Sequence, residues 1–260
     1  MPEEPPAPRR AAAPSASTDW LLELCGDGIT GFTPPALPDA AWVLNAMYEH
    51  EAGPGTLSHH EYRQARQREG GIRADTGIGA PAIATGGGLG RADHPGTGWR
   101  RLRWAELSRR TGDPVVPEGL LPSYRCFPSA KKDDSWPLGI VPPTEGSLDR
   151  PTWNRLIDLL TAHSPAGADT ACLAYWTPLM LKAMDFDNLR VRTGRLGDAR
   201  SLYDDPETVF SPSNLWAQDR SWVVCTDYDL WATKVAGPPA LVEALLSDSE
   251  IEAVQLPWAP

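Results

Sequence analysis

The sequence predicts an α+β fold: a mixed, largely antiparallel sheet with packed helices, preceded by a disordered N-terminal tail. Three observations predict it. Trp153, Leu156, Ile157 and Leu160 recur at the spacing of one helical face within residues 147–163. Residues 221–226, Ser-Trp-Val-Val-Cys-Thr, are rich in strand-favouring side chains, and Asp227-Tyr228-Asp229 reads as the turn into a second strand at 231–235. Residues 1–17 are dominated by Pro and Ala, and hold too little apolar surface to offset the entropy of ordering them.

In chain order, residues 1–18 form the tail and 19–69 a helical N-terminal segment. Within that segment Thr18-Asp19 can cap a short helix at 20–24. Asp39 can cap a second at 40–50, with Val43, Leu44, Met47 and Tyr48 inward, and a polar helix follows Ser58. Residues 70–98 hold ten glycines and read as a loop or linker. The main α+β domain spans 99–260. It is expected to begin with alternation at 99–103 and a short helix at 105–110 closed by Gly112. Short strands follow at 123–127 and 138–141, the second ended by Pro142-Pro143. The helix at 147–163 has Ser147 or Asp149 as cap, and Pro151 in its first turn, where a missing N–H costs nothing. Strands at 170–176 and 189–192 come next. After the 221–235 hairpin, a helix at 239–246 and a strand at 251–256 close the chain.

Charge separates the function classes. The net charge is −10, which argues against a nucleic-acid partner, since phosphate binding needs a basic footprint. Residues 201–260 hold ten acids and only two bases, whereas 91–110 hold six arginines against Asp93 and Glu106. An acidic surface raises encounter rates with a basic partner and also confers solubility. The mixed aromatic and basic run at 99–104 is most simply used within the chain, against the acidic C-terminal third. No run of apolar residues is long enough for a membrane span, no apolar leader is seen, and a cytoplasmic location is expected.

Catalytic signatures are sparse. Cys25, Cys126, Cys172 and Cys225 form no C-x-x-C pair and read as buried free thiols. His59-His60-Glu61 cannot present both imidazoles on one helix face, so no metal site is expected. Gly77-x-Gly79-x-x-Ala82 lacks a preceding strand and has Pro81 where a helix should begin, so no dinucleotide and no other cofactor is expected. Asp227 and Asp229 are the most notable acids. In a continued strand both would point to one face and perturb one another's ionisation; in a hairpin turn each would serve its own backbone. Arg190 and Arg192 could form an anion-binding face or a solvated strand face. Of the 11 tryptophans, Trp153, Trp222 and Trp258 read as core, while Trp136, Trp216 and Trp231 sit near polar turns and could line a groove.

Arg220-Ser221-Trp222-Val223-Val224, Thr226-Asp227-Tyr228-Asp229, Thr233, Val235-Ala236-Gly237 and the helix through Leu241 and Leu245 carry a resemblance. Residues 211–258 resemble the C-terminal module of uncharacterised actinobacterial proteins, some of which look like immunity proteins of polymorphic toxin systems. The resemblance implies a non-enzymatic protein-interaction module. A protein partner with a basic surface would meet acids and aromatics including Trp216, Asp219, Asp227, Tyr228, Asp229 and Trp231. The alternative is an enzyme in which Asp227 and Asp229 act with an anion site at Arg190 and Arg192.

Overall fold

The computed structural model describes residues 37–68, 88–91, 93–176, 191–206, 208 and 210–256. The expected tail, the helix at 20–24, Cys25, most of the Gly-rich stretch, Arg190 and Trp258 lie outside the described residues.

The fold is α+β, with two sheets. Ten strands occur among the described residues: β1 (Asp39–Leu44), β2 (Met47–His50), β3 (Trp99–Leu102), β4 (Ile140–Val141), β5 (Ala171–Tyr175), β6 (Val191–Arg195), β7 (Asn214–Ala217), β8 (Val223–Thr226), β9 (Ala232–Gly237) and β10 (Ala253–Val254). Seven build one sheet in the order β10-β1-β9-β8-β7-β5-β6, and three build a second in the order β3-β2-β4. Neighbouring strands run antiparallel in both. The helices are α1 (His59–Arg68), α2 (Trp104–Thr111), α3 (Arg150–Ala162) and α4 (Pro239–Ser247). A 3-10 run, Leu196–Asp204, follows β6.

The expected helix at 40–50 is replaced by β1 and β2, and within the described part of 37–69 only α1 is helical. The reason is burial on every side. Positions 40–49 are all buried, so no polar face exists for a surface helix, and a short apolar run of this kind suits a central strand equally well. β1 lies between β9 and β10, with Trp42 opposite Lys234 and Val254. Residues 39–44 thus belong to the same sheet as the C-terminal strands. At Asn45-Ala46 the chain leaves that sheet and enters the smaller one. Asn45 fixes the crossing through three bonds: its N–H donates to Trp231 O (2.8 Å), its Nδ2 donates to Thr144 O (2.7 Å), and its O accepts from Trp104 Nε1 (2.9 Å).

The expected strand at 123–127 is a turn. Cys126 N donates to Ser123 O at 2.9 Å, and Phe127 adopts φ +55°. β7 and the Leu196–Asp204 run have no counterpart in the sequence reading. Three clusters form the core. Trp153, Leu156, Ile157 and Leu160 of α3 pack with Leu241 and Leu245 of α4 over Val224 and Val235 of the large sheet. Trp104, Phe127, Trp136 and Trp231 join Leu44, Met47 and Ile140 around the crossing. Trp216, Val223 and Cys225 form the third. Cys126, Cys172 and Cys225 are buried and free, and burial pushes the Cys225 thiol up to about 12.

Leu44→Ala should cost about 2–5 kcal/mol in urea denaturation, because it empties a fully buried site beside the crossing. Leu246→Ala, on the outer side of α4, should stay within about 0.5 kcal/mol. Equal effects of the two would contradict the placement of β1.

Candidate functional site

Several acids of the C-terminal third are matched inside the chain. Arg150 grips Asp204 through both oxygens, one bond measuring 2.8 Å, and Arg192 pairs with Asp205. Arg155 donates from Nε (2.9 Å) and Nη2 (2.6 Å) to Asp248, and its Nε lies 3.6 Å from Glu250. Glu252 accepts the Trp104 and Ala105 amides at 2.8 Å each, so it caps α2 from outside the helix. The Arg150 hydrogen bond holds the Asp204 carboxyl below its ordinary value. Burial pushes Asp248 upward, but Arg155 and the amides of Ile251 and Glu250 outweigh it and the net shift is down. The outward-facing negative charge expected for residues 201–260 is therefore partly neutralised by the chain's own arginines.

One acidic face has no such cations. The β8–β9 turn is a side-chain turn, in which Asp227 Oδ1 accepts the Asp229 amide at 2.9 Å. The two carboxylates thus sit in a turn and not on one strand face. Glu145 joins them from a distant segment. Its N–H donates to Gly88 O and its O accepts from Gly90 N, both at 2.8 Å, while Gly146 N donates to Leu230 O at 3.1 Å. Gly146 has φ +76°, and a Cβ there would lie 2.9 Å from Tyr228 Cα, so only glycine lets the 145 segment approach the turn. Burial, then the Asp229 charge, pushes the Glu145 carboxyl up. Burial also pushes Asp227 up; the Asp229 amide opposes this, and the Asp229 charge adds to it. No lysine or arginine pairs with Glu145, Asp227 or Asp229 among the described residues. Tyr228 is 39% exposed on this face and Leu89, bridged to Glu145, is 59% exposed.

The remaining candidates do not converge there. Trp216 and Trp231 are 2% and 0% exposed and Trp136 is buried beside Trp231, so none lines a surface groove. Their apparent polar setting came from sequence neighbours, whereas the sheet and the Trp104 cluster enclose the rings. Asp219 is exposed but lies at the opposite end of β8, where it accepts the Ser221 amide at 3.0 Å. Arg192 is occupied by Asp205 and sits 5.2 Å from the Trp176 ring centroid. Neither the cavity of about 420 Å3 nor that of about 180 Å3 is lined by Asp227, Asp229 or Arg192. The sequence reading missed Glu145, because nothing in its spacing announces that a segment 82 residues upstream returns to the turn at Asp227.

No family model matches the chain, and no curated protein and no solved structure matches it either.

Because burial raises the Asp227 carboxyl in the folded state, ionising it costs the folded protein more than the unfolded chain. The stability it contributes is present at low pH and is lost as the pH rises through its folded value. Asp227→Asn keeps the oxygen that accepts the Asp229 amide. It should raise the urea midpoint at pH 7, and the gain should vanish once the parent carboxyl is protonated. A lowered midpoint at pH 7 would contradict the assignment.

Proposed function

We propose that this chain is a non-enzymatic protein-interaction module that docks a partner with a basic surface, in the manner of a toxin-neutralising immunity protein. The observation that supports the reading is electrostatic asymmetry. Asp204, Asp205, Asp248 and Glu250 of the C-terminal third are held by the chain's own guanidinium groups, while Glu145, Asp227 and Asp229 crowd together without one. Ionising crowded, half-buried carboxylates is unfavourable, and an incoming lysine or arginine relieves that cost, so binding is favoured by charge already in place.

The mechanism is occlusion. The three acids meet a basic rim on the partner, and the overall charge of −10 speeds encounter. Tyr228 takes the anchoring role that sequence assigned to Trp216 and Trp231, since it is an aromatic ring beside the acids that reaches solvent. Leu89 supplies an apolar flank.

The test is surface plasmon resonance between the full chain and the protein encoded beside its gene, at low and high salt. The triple variant Glu145→Gln, Asp227→Asn, Asp229→Asn should bind at least about 10-fold more weakly and lose most of the salt dependence. Asp219→Asn, at the other end of β8, should leave binding unchanged. Parent-like affinity of the triple variant, or no binding by the parent, would overturn the reading.

A further inference from the structure

The cavity of about 180 Å3 lies between three groups of residues: Ala46 and Tyr48 at the entry of β2, Val141 of β4 with Pro142 and Thr144 after it, and Gly88, Leu89, Arg91 and Asp93. Arg91 and Asp93 both line it, and they form no ion pair with one another. Arg91 is held by other groups. Its Nη1 donates to Tyr203 O, its Nη2 donates to Asp205 O (3.3 Å) and Thr208 O, and its guanidinium lies 5.5 Å from the Tyr203 ring centroid. Those bonds use three of five N–H groups, so Nε and one Nη1 proton are left for another acceptor. Asp93 is exposed, and no hydrogen bond or ion pair engages it among the described residues.

Unspent polar groups also stand behind the walls. Asn45 Oδ1 is buried without a hydrogen-bond partner, although its Nδ2 braces Thr144 O. Both Asp149 oxygens and the Tyr203 hydroxyl are likewise buried and unbonded, with Arg101 Nη1 3.9 Å from Asp149. Tyr48 lines the cavity, and burial, followed by the Asp149 charge, pushes its hydroxyl up to about 12, so the residue stays neutral.

We propose that this cavity binds a small zwitterion of the α-amino acid class, with its carboxylate toward Arg91 and its ammonium toward Asp93. A simple cation would confront Arg91 and a simple anion would confront Asp93, whereas a zwitterion leaves neither charge unmatched on desolvation. The volume lies below the roughly 300–1,000 Å3 that drug-sized ligands occupy, which restricts the ligand to a short side chain. The site adjoins the acidic docking face at Leu89, but its two charges, Arg91 and Asp93, are not those of that face, and the proposal does not depend on it.

Isothermal titration of the full chain with L-alanine, propylamine and propionate tests this. L-alanine should bind saturably, with each single-charge probe at least about 10-fold weaker, the usual loss when one charge-assisted bond is removed. Asp93→Asn, at an exposed position, should weaken L-alanine by a similar factor while leaving the thermal midpoint unchanged. The proposal is overturned by absent L-alanine binding, by equal affinities for the three probes, or by an unaltered L-alanine affinity in Asp93→Asn.

Discussion

Guanidinium groups join segments of this chain that lie far apart in sequence. Arg91 ties the end of the Gly-rich stretch to the carbonyls of Tyr203, Asp205 and Thr208. Arg100 and Arg110 converge on Glu49, which is buried in the central strand of the small sheet, and both also bind Glu106. Arg103 reaches the carbonyls of Ser249 and Ile251, and Arg155 reaches Asp248 in the same segment. A planar fork with five donors suits this work, because it can hold two acceptors at fixed geometry. A buried charge such as Glu49 is tolerable only with such partners, so these pairs decide which segments can lie together as much as how firmly they hold.

The crossing at Asn45-Ala46 lies beside these pairs, since Glu49 belongs to β2. β1 is committed to the large sheet by its pairing with β9 and β10, and β2 to the small sheet by β3 and β4. Two residues later the same strand presents Tyr48 to the cavity, flanked across the ladder by Arg101 and Val141. The cavity and the acidic turn share neighbouring chain as well. Thr144 lines one, Glu145 belongs to the other, and Leu89 touches both. A single crossing strand and one glycine, Gly146, thus position two chemically different surfaces.

Much of this was legible in residue patterns, for identifiable reasons. The face of α3 was readable because Trp153, Leu156, Ile157 and Leu160 alternate with polar residues at helical spacing, and the β8–β9 hairpin because Asp227 and Asp229 bracket a turn between apolar runs. β1 resembles a helix in sequence because burial on all sides erases the polar positions that distinguish the two periods. Asp227 and Tyr228 were found at the candidate site because turn chemistry is local. Glu145 was not, since its place there arises from a tertiary return of the chain through Gly146. The same limit hid the fate of Trp216 and Trp231: solvent exposure depends on which strands flank β7 and on how the Trp104 cluster closes, and neither is written in adjacent residues.

The chain compensates its carboxylates unevenly: Asp204 and Asp248 are arginine-held, and Glu145 and Asp227 are not. Site-resolved NMR titration of the side-chain carboxyl carbons measures this directly. Glu145 and Asp227 should titrate above the ordinary values for their residue types, and Asp204 and Asp248 below them. If all four titrate together at ordinary values, or if Glu145 and Asp227 fall with the arginine-held pair, no face of the chain is set apart for a cationic partner.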